Sequence, residues 1–136
     1  MANLSIPDAK NIRPLESAVI RNAVAGGAMD IGDLVYVASD GDWEQADGNA
    51  SATAFATGIV VGSDSGETGI LADEGIAVCV FGPVAGFASL TPGGIGYTSD
   101  DTGKIEDAAG TVTHTIGWCQ TDEIFFVQPG LRLPTS

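Results

Sequence analysis

Glycine and proline interrupt this chain along its whole length. The 19 glycines and 6 prolines fall neither in one linker nor at a fixed interval, so every apolar run is soon cut by a residue that favours a turn. Ile76, Val78 and Val80 alternate with Ala77, Cys79 and Phe81, and Ile124-Phe125-Phe126-Val127 is a compact β-rich run. Further strand candidates are 17–24, 33–38, 43–46, 56–62, 84–90, 95–98, 103–106 and 112–119. Short strands at this spacing predict an all-β domain, a small barrel or sandwich. Asn49–Thr57 is the best helix candidate, capped by Asn49 or Ser51, but its Ser and Thr content and Gly58 limit its length, and it reads as a loop.

One pattern occurs twice. Residues 32–47 (G-D-L-V-Y-V-A-S-D-G-D-W-E-Q-A-D) and 94–107 (G-I-G-Y-T-S-D-D-T-G-K-I-E-D) both run from glycine through a short strand ending near tyrosine, then an acidic turn, then a restart at Trp43 or Ile105. Asp40-Gly41 and Asp101-Thr102-Gly103 supply residues that tolerate positive φ. A glycine-containing strand follows each, A-T-G-I-V-V and H-T-I-G-W-C, so the expectation is two similar hairpins, each with a return strand.

At 136 residues the chain is long enough for one domain with a core. Its 18 acidic residues against 5 basic give a net charge of −13, which excludes a nucleic-acid partner because phosphate neutralisation needs clustered Lys and Arg. The first 21 residues differ from the rest, with Lys10, Arg13 and Arg21 against Asp8 and Glu16. The N-terminus lacks the charged and apolar regions of a secretory signal, so synthesis and retention in a cytoplasm are expected. Cys79 and Cys119 lie in apolar, strand-like contexts and read as buried reduced thiols. Residues 75–99 carry no charge, yet Gly82-Pro83 and Thr91-Pro92-Gly93-Gly94 break them well short of the ~18 continuous apolar residues of a helical span; no membrane association is expected.

Sites with defined chemistry fail one by one. An EF-hand loop starting at Asp40 would need glycine and glutamate where Gln45 and Ser51 stand. Gly93–Thr98 opens like a calcium β-roll repeat but has Thr98 at the Asp position and is not iterated. A phosphate loop at Gly103-Lys104 lacks its first glycine and its hydroxyl residue. His114, the sole histidine, sits in a strand and reads as structural rather than as a catalytic base. In Gly62-Ser63-Asp64-Ser65-Gly66 the nucleophile position of an elbow holds Asp64. Trp43 and Trp118 read as core or interface packing rather than a sugar platform. The expectation is therefore a non-enzyme with no metal and no cofactor.

In order and spacing the chain resembles the small β-barrel capsid decoration, or cement, proteins of tailed bacteriophages. The resemblance is carried by A-G-G-A-M-D-I-G-D-L-V-Y-V-A-S-D-G at 25–41, T-G-I-V-V-G at 57–62, G-I-A-V-C-V-F-G-P-V-A-G-F at 75–87, L-T-P-G-G-I-G-Y-T-S at 90–99, T-I-G-W-C at 115–119 and I-F-F-V-Q-P-G at 124–130. It implies a β-tulip-like barrel on the outer capsid surface of a virion, made in the host cytoplasm, that clamps neighbouring major capsid protein subunits. It also implies a homo-oligomer, a trimer before a dimer, and an extended N-terminal arm that makes the capsid contact.

Residues 1–15 fit that arm. They are polar, contain Pro7 and Pro14, and carry Lys10 and Arg13 against Asp8, so they read as a segment that orders on binding, with Ile6, Pro7, Lys10, Arg13 and Pro14 as capsid-binding residues. Residues 16–136 then form the barrel, and removal of the arm is expected to cost the barrel little stability. Two other classes stay open: a receptor- or glycan-binding head-fibre module, which should expose aromatic residues among Tyr36, Trp43, Tyr97 and Trp118 on one rim, and a small hydrolase with a cleft at His114.

Overall fold

The computed structural model describes residues 2–130 and is all-β apart from single helical turns at Ala9–Asn11 and Ser51–Ala54. The strands are β1 (Arg13–Pro14), β2 (Val19–Val24), β3 (Met29–Asp30), β4 (Leu34–Val37), β5 (Trp43–Gln45), β6 (Gly58–Ser63), β7 (Gly69–Ile70), β8 (Gly75–Ala85), β9 (Ile95–Thr98), β10 (Ile105–Glu106), β11 (Thr115–Cys119) and β12 (Ile124–Val127). Eight of them form one open, curled antiparallel sheet in the order β10-β9-β11-β12-β8-β6-β4-β5; β1 and β2 join it at β8, and β3 pairs with β7 separately. Residues 131–136, the end of the 16–136 segment read as the barrel, lie outside the described residues.

β8 organises this sheet. Its first half is flanked by β2 and β6, with Cys79 opposite both Ile20 and Ile59, and its second half by β1 and β12, with Val84 opposite both Pro14 and Phe125. The sequence reading stops a strand at Phe81 and starts another at 84; the structure instead carries one strand through Gly82-Pro83. Gly82 has φ +115° and lies so close to the chain that an added Cβ would meet the Ala18 Cα at 2.7 Å. Pro83 remains in the ladder through its carbonyl, which accepts from the Leu15 N–H at 3.0 Å. Here the glycine-proline pair marks where a strand changes partners, and does not end it.

Both copies of the repeated pattern fold as expected. β4 pairs with β5 and with the return strand β6, while β9 pairs with β10 and with the return strand β11. The hairpins also dock on each other: Leu34 N–H donates to Gly103 O (2.9 Å), Gly103 N–H to Ala46 O (2.7 Å), and Gly48 N–H to Ser99 O (2.8 Å). The segment read as a loop contains the Ser51–Ala54 turn. Its Thr53 hydroxyl donates to Asp47 O at 2.7 Å, a local bond that anchors the turn without lengthening it.

The core is built from Leu34, Val35, Ile59, Val60, Val78, Ile116, Phe125 and their neighbours, all buried. Ile12 belongs to it at 5% exposure, and Leu4, Ile6 and Ala9 pack against it. The N-terminal segment is therefore laid on the body. Asn3 bridges to Glu106, Leu4 N–H donates to Ile105 O (2.8 Å), Ser5 bridges to Ala88, and β1 pairs with β8. In this structure residues 2–15 thus lie along the barrel, where the sequence reading expects an arm at 1–15. Leu4, Ile6 and Ile12 are few, but they arrive at sites shaped for them: Gly32, at φ +98°, leaves room that an added Cβ would contest with Ile6 Cδ1 at 2.9 Å.

Candidate interaction surface

Residues paired across antiparallel strands share a face, so the register of the second half of the sheet fixes what it presents. Ile95 lies opposite Trp118, Trp118 opposite Phe126, and Phe126 opposite Pro83. One row thus crosses β9, β11, β12 and β8. The alternate residues Gly96, Gly117, Phe125 and Val127 are buried on the inner face. Phe81 stands beside the row, its ring edge-on to Phe126 with centroids 5.2 Å apart, and Val19 lies opposite Phe81. Trp118 stacks on Phe126 at 5.0 Å and donates its indole N–H to Gln128 Oε1 at 3.2 Å. Ile95 and Phe81 are 43% and 44% exposed, large values for apolar side chains locked in a sheet.

This row carries no charge in a chain of net charge −13. Tyr97 and Thr115 pair next to it, and Glu106, opposite Tyr97, is the nearest acidic residue in that ladder. At the β8 end the row meets the N-terminal segment, where Leu15 bonds to Pro83 and Arg13 lies opposite Ala85. Of the residues assigned to capsid binding, Pro7, Lys10, Arg13 and Pro14 are exposed, whereas Ile6 is half-buried against the core. Arg13 and Pro14 adjoin the aromatic row. Sequence reasoning missed the row as a unit, because Phe81, Trp118 and Phe126 sit in separate apolar runs and only the pairing shows that they face the same way.

The four aromatic residues proposed as a rim divide. Tyr36 and Trp43 pack against the core, whereas Tyr97 and Trp118 belong to the outer face.

The acidic turns act as hydrogen-bond acceptors. Asp47 accepts from the Asn49 N–H (2.9 Å), the Asn49 amide (2.7 Å) and the Thr102 hydroxyl (3.1 Å), which holds its carboxyl below the ordinary range. Asp100 accepts from the Thr111 N–H and hydroxyl at 2.8 and 2.7 Å. Asp33 is buried where the two hairpins dock, accepting from Asp30 N–H (2.9 Å) and Gln45 Nε2 (2.7 Å), with Lys104 Nζ at 3.7 Å. Burial outweighs these partners and pushes its carboxyl up.

His114 is buried beneath Phe55, the rings 4.8 Å apart, with Nε2 3.4 Å from Ala56 O. Cys79 and Cys119 are buried free thiols, both pushed up by desolvation. A hollow of about 410 Å³ lies between the N-terminal segment and residues 88–95, lined by Leu4, Leu90, Ile95, Asp107 and Cys119 among others.

Of the perturbed buried groups, His114 and Asp33 have opposite consequences for stability as pH falls. Burial lowers the His114 pKa from 6.5, so below about 6.5 the unfolded chain takes up a proton that the folded chain refuses, and stability is lost as pH falls towards the folded value. The Asp33 pKa is raised above 3.8, so Asp33 destabilises the fold above its folded value, and stability returns as pH falls through it. Urea unfolding of wild type at pH 7 and pH 5 is expected to show a loss that His114→Gln largely abolishes. An equal loss in the variant would assign the effect elsewhere.

Comparison of the chain with family models, with curated proteins and with solved structures finds no match.

Proposed function

We propose that the chain is a non-enzymatic structural protein that decorates the outer surface of a phage head and braces contacts between major capsid protein subunits, its curled sheet forming a small β-tulip-like barrel. The observation that carries this reading is the uncharged row Ile95–Trp118–Phe126–Pro83, with Phe81 and Val19 beside it, on a chain that is otherwise strongly acidic. Contiguous exposed apolar surface of this kind marks interaction sites, and buried aromatic anchors dominate the energetics of such contacts. The exposed Lys10, Arg13 and Pro14 extend the surface along the N-terminal segment. The acidic remainder faces solvent and keeps decorated particles apart.

Co-sedimentation with expanded heads lacking a decoration layer tests both the function and the face. Wild type is expected to pellet with the heads. Phe81→Ala combined with Trp118→Ala is expected to weaken binding by several hundredfold, the scale of losing two anchors worth ~2 kcal/mol each, while remaining folded. Wild type that stays in the supernatant ends the decoration reading. Undiminished binding by the double variant moves the contact off the face and back to the N-terminal segment.

A receptor- or glycan-binding role is the second reading, favoured by Tyr97 and Trp118 sharing the outer face. Trp118 already gives one ring face to Phe126, which leaves less of it for a sugar. Retention of wild type, but not of Trp118→Ala, on immobilised glycans would put this reading first.

A further inference from the structure

We infer that two copies of this chain pair edge to edge through β2, forming an antiparallel ladder centred on Asn22. β2 is a six-residue strand that pairs with β8 alone. The ends of the sheet are treated differently. The β10 edge is covered by residues 2–4 through the Asn3–Glu106 bridge and the Leu4–Ile105 bond, and the β5 edge meets the chain at the Ala25–Trp43 bridge and the Gly26 N–H bond to Trp43 O. β1 is two residues long and contains Pro14. An uncovered edge strand is a template for another strand, which proteins ordinarily blunt with charge, proline or a covering segment; β2 has only Arg21.

Charge selects a second copy as the occupant. Chains of net charge −13 repel each other, so self-association needs a region free of that charge, and residues 17–29 contain no Asp or Glu. The paired part of β8, Gly75–Phe81, is uncharged as well. Glu16 stands three residues before Val19, and the other acidic residues near the strand, Asp73, Glu74, Asp42 and Glu44, gather beyond the Val24 end around Ala25 and Gly26. Antiparallel pairing places that end of one copy against the Val19 end of the other, which holds the two acidic turns at opposite ends of the joint.

Parity narrows the register. Successive residues of a strand face opposite ways, so a two-fold antiparallel ladder pairs residues of the same parity and must be centred on a residue. Centring on Arg21 sets guanidinium against guanidinium, which is unfavourable for directly opposed like charges. Centring on Asn22 sets amide against amide, which can hydrogen-bond, puts Ile20 opposite Val24, and puts Arg21 opposite Ala23. Val24 is 44% exposed in the single chain and gains an apolar partner. Such pairing is isologous and closes at two copies. It therefore requires a dimer, where the family resemblance puts a trimer first, and it does not depend on what the aromatic face binds.

A charge exchange at position 22 tests the pairing. Sedimentation equilibrium of wild type over a range of concentrations is expected to give a dimer of the 13.7 kDa chain. Asn22 is exposed, so Asn22→Asp and Asn22→Lys are expected to keep the wild-type circular dichroism spectrum while each associates about tenfold more weakly or worse, because each sets like charges across the two-fold axis. An equimolar mixture of the two is expected to recover dimer. Wild type that is monomeric or trimeric throughout overturns the inference. So do single variants that dimerise as tightly as wild type, and so does a mixture that recovers nothing.

Discussion

Deleting residues 1–15 is expected to leave a protein that unfolds at least ~10 °C below wild type, or fails to fold. The side chain of Ile12 is 5% exposed and part of the core; losing a buried aliphatic side chain of this size costs about 2–5 kcal/mol. The deletion also strips the partners of the Ile105 carbonyl, the Ala88 N–H and the Pro83 carbonyl, and the Asn3 amide bonds to Asp101 and Ser99. It uncovers the β10 edge as well. Against a total of roughly 5–15 kcal/mol for a domain, and a few degrees of melting temperature per kcal/mol, the effect is large. Lys10→Glu and Arg13→Glu change exposed side chains of the same segment and are expected to stay within about 0.5 kcal/mol of wild type. Thermal melts of the three variants separate the two roles of the segment: a folded, stable truncation would return residues 1–15 to the status of a detachable arm. Head binding by the two charge variants then reports on contact alone, without interference from unfolding.

That outcome also shows where sequence was informative. The hairpins at 32–47 and 94–107 were legible because alternation, positive-φ turn residues and a return strand all lie within a short span of chain. The N-terminal packing was not, because Leu4, Ile6 and Ile12 follow no regular period and their partners, such as Gly32 and Ile105, are distant in sequence. β8 was split at Gly82-Pro83 for a related reason. Local propensity says stop, and only the four flanking strands show why the chain continues. The outer face depends on register in the same way. Trp118 and Phe126 are eight positions apart in sequence, and only the pairing of β11 with β12 stacks one ring on the other.

The inner side of that same face gives the other large effect, at the glycine pair that Phe125 covers. Gly96 and Gly117 are directly opposite in the β9–β11 ladder, and Phe125 is fully buried against them. A Cβ on Gly96 would meet Phe125 Cζ at 2.6 Å and Ile105 Cγ2 at 2.9 Å, both side-chain atoms. A Cβ on Gly117 would meet the Phe125 ring too, but also the Phe126 carbonyl oxygen, and Gly117 has φ +152° beside a register shift in β11. Gly96→Ala therefore overpacks a core, at about 1–3 kcal/mol, whereas Gly117→Ala adds backbone strain of about 1–3 kcal/mol to the same clash. The two differ in what relieves them. Phe125→Leu removes ring atoms and costs stability by itself, yet combined with Gly96→Ala it is expected to cost less than the sum of the single changes, with a coupling of about 1 kcal/mol or more. Combined with Gly117→Ala it is expected to recover little, because neither the carbonyl contact nor the dihedral depends on the ring. Urea unfolding of the two double-mutant cycles makes the comparison, and equal relief in both would show that side-chain crowding alone keeps these positions glycine.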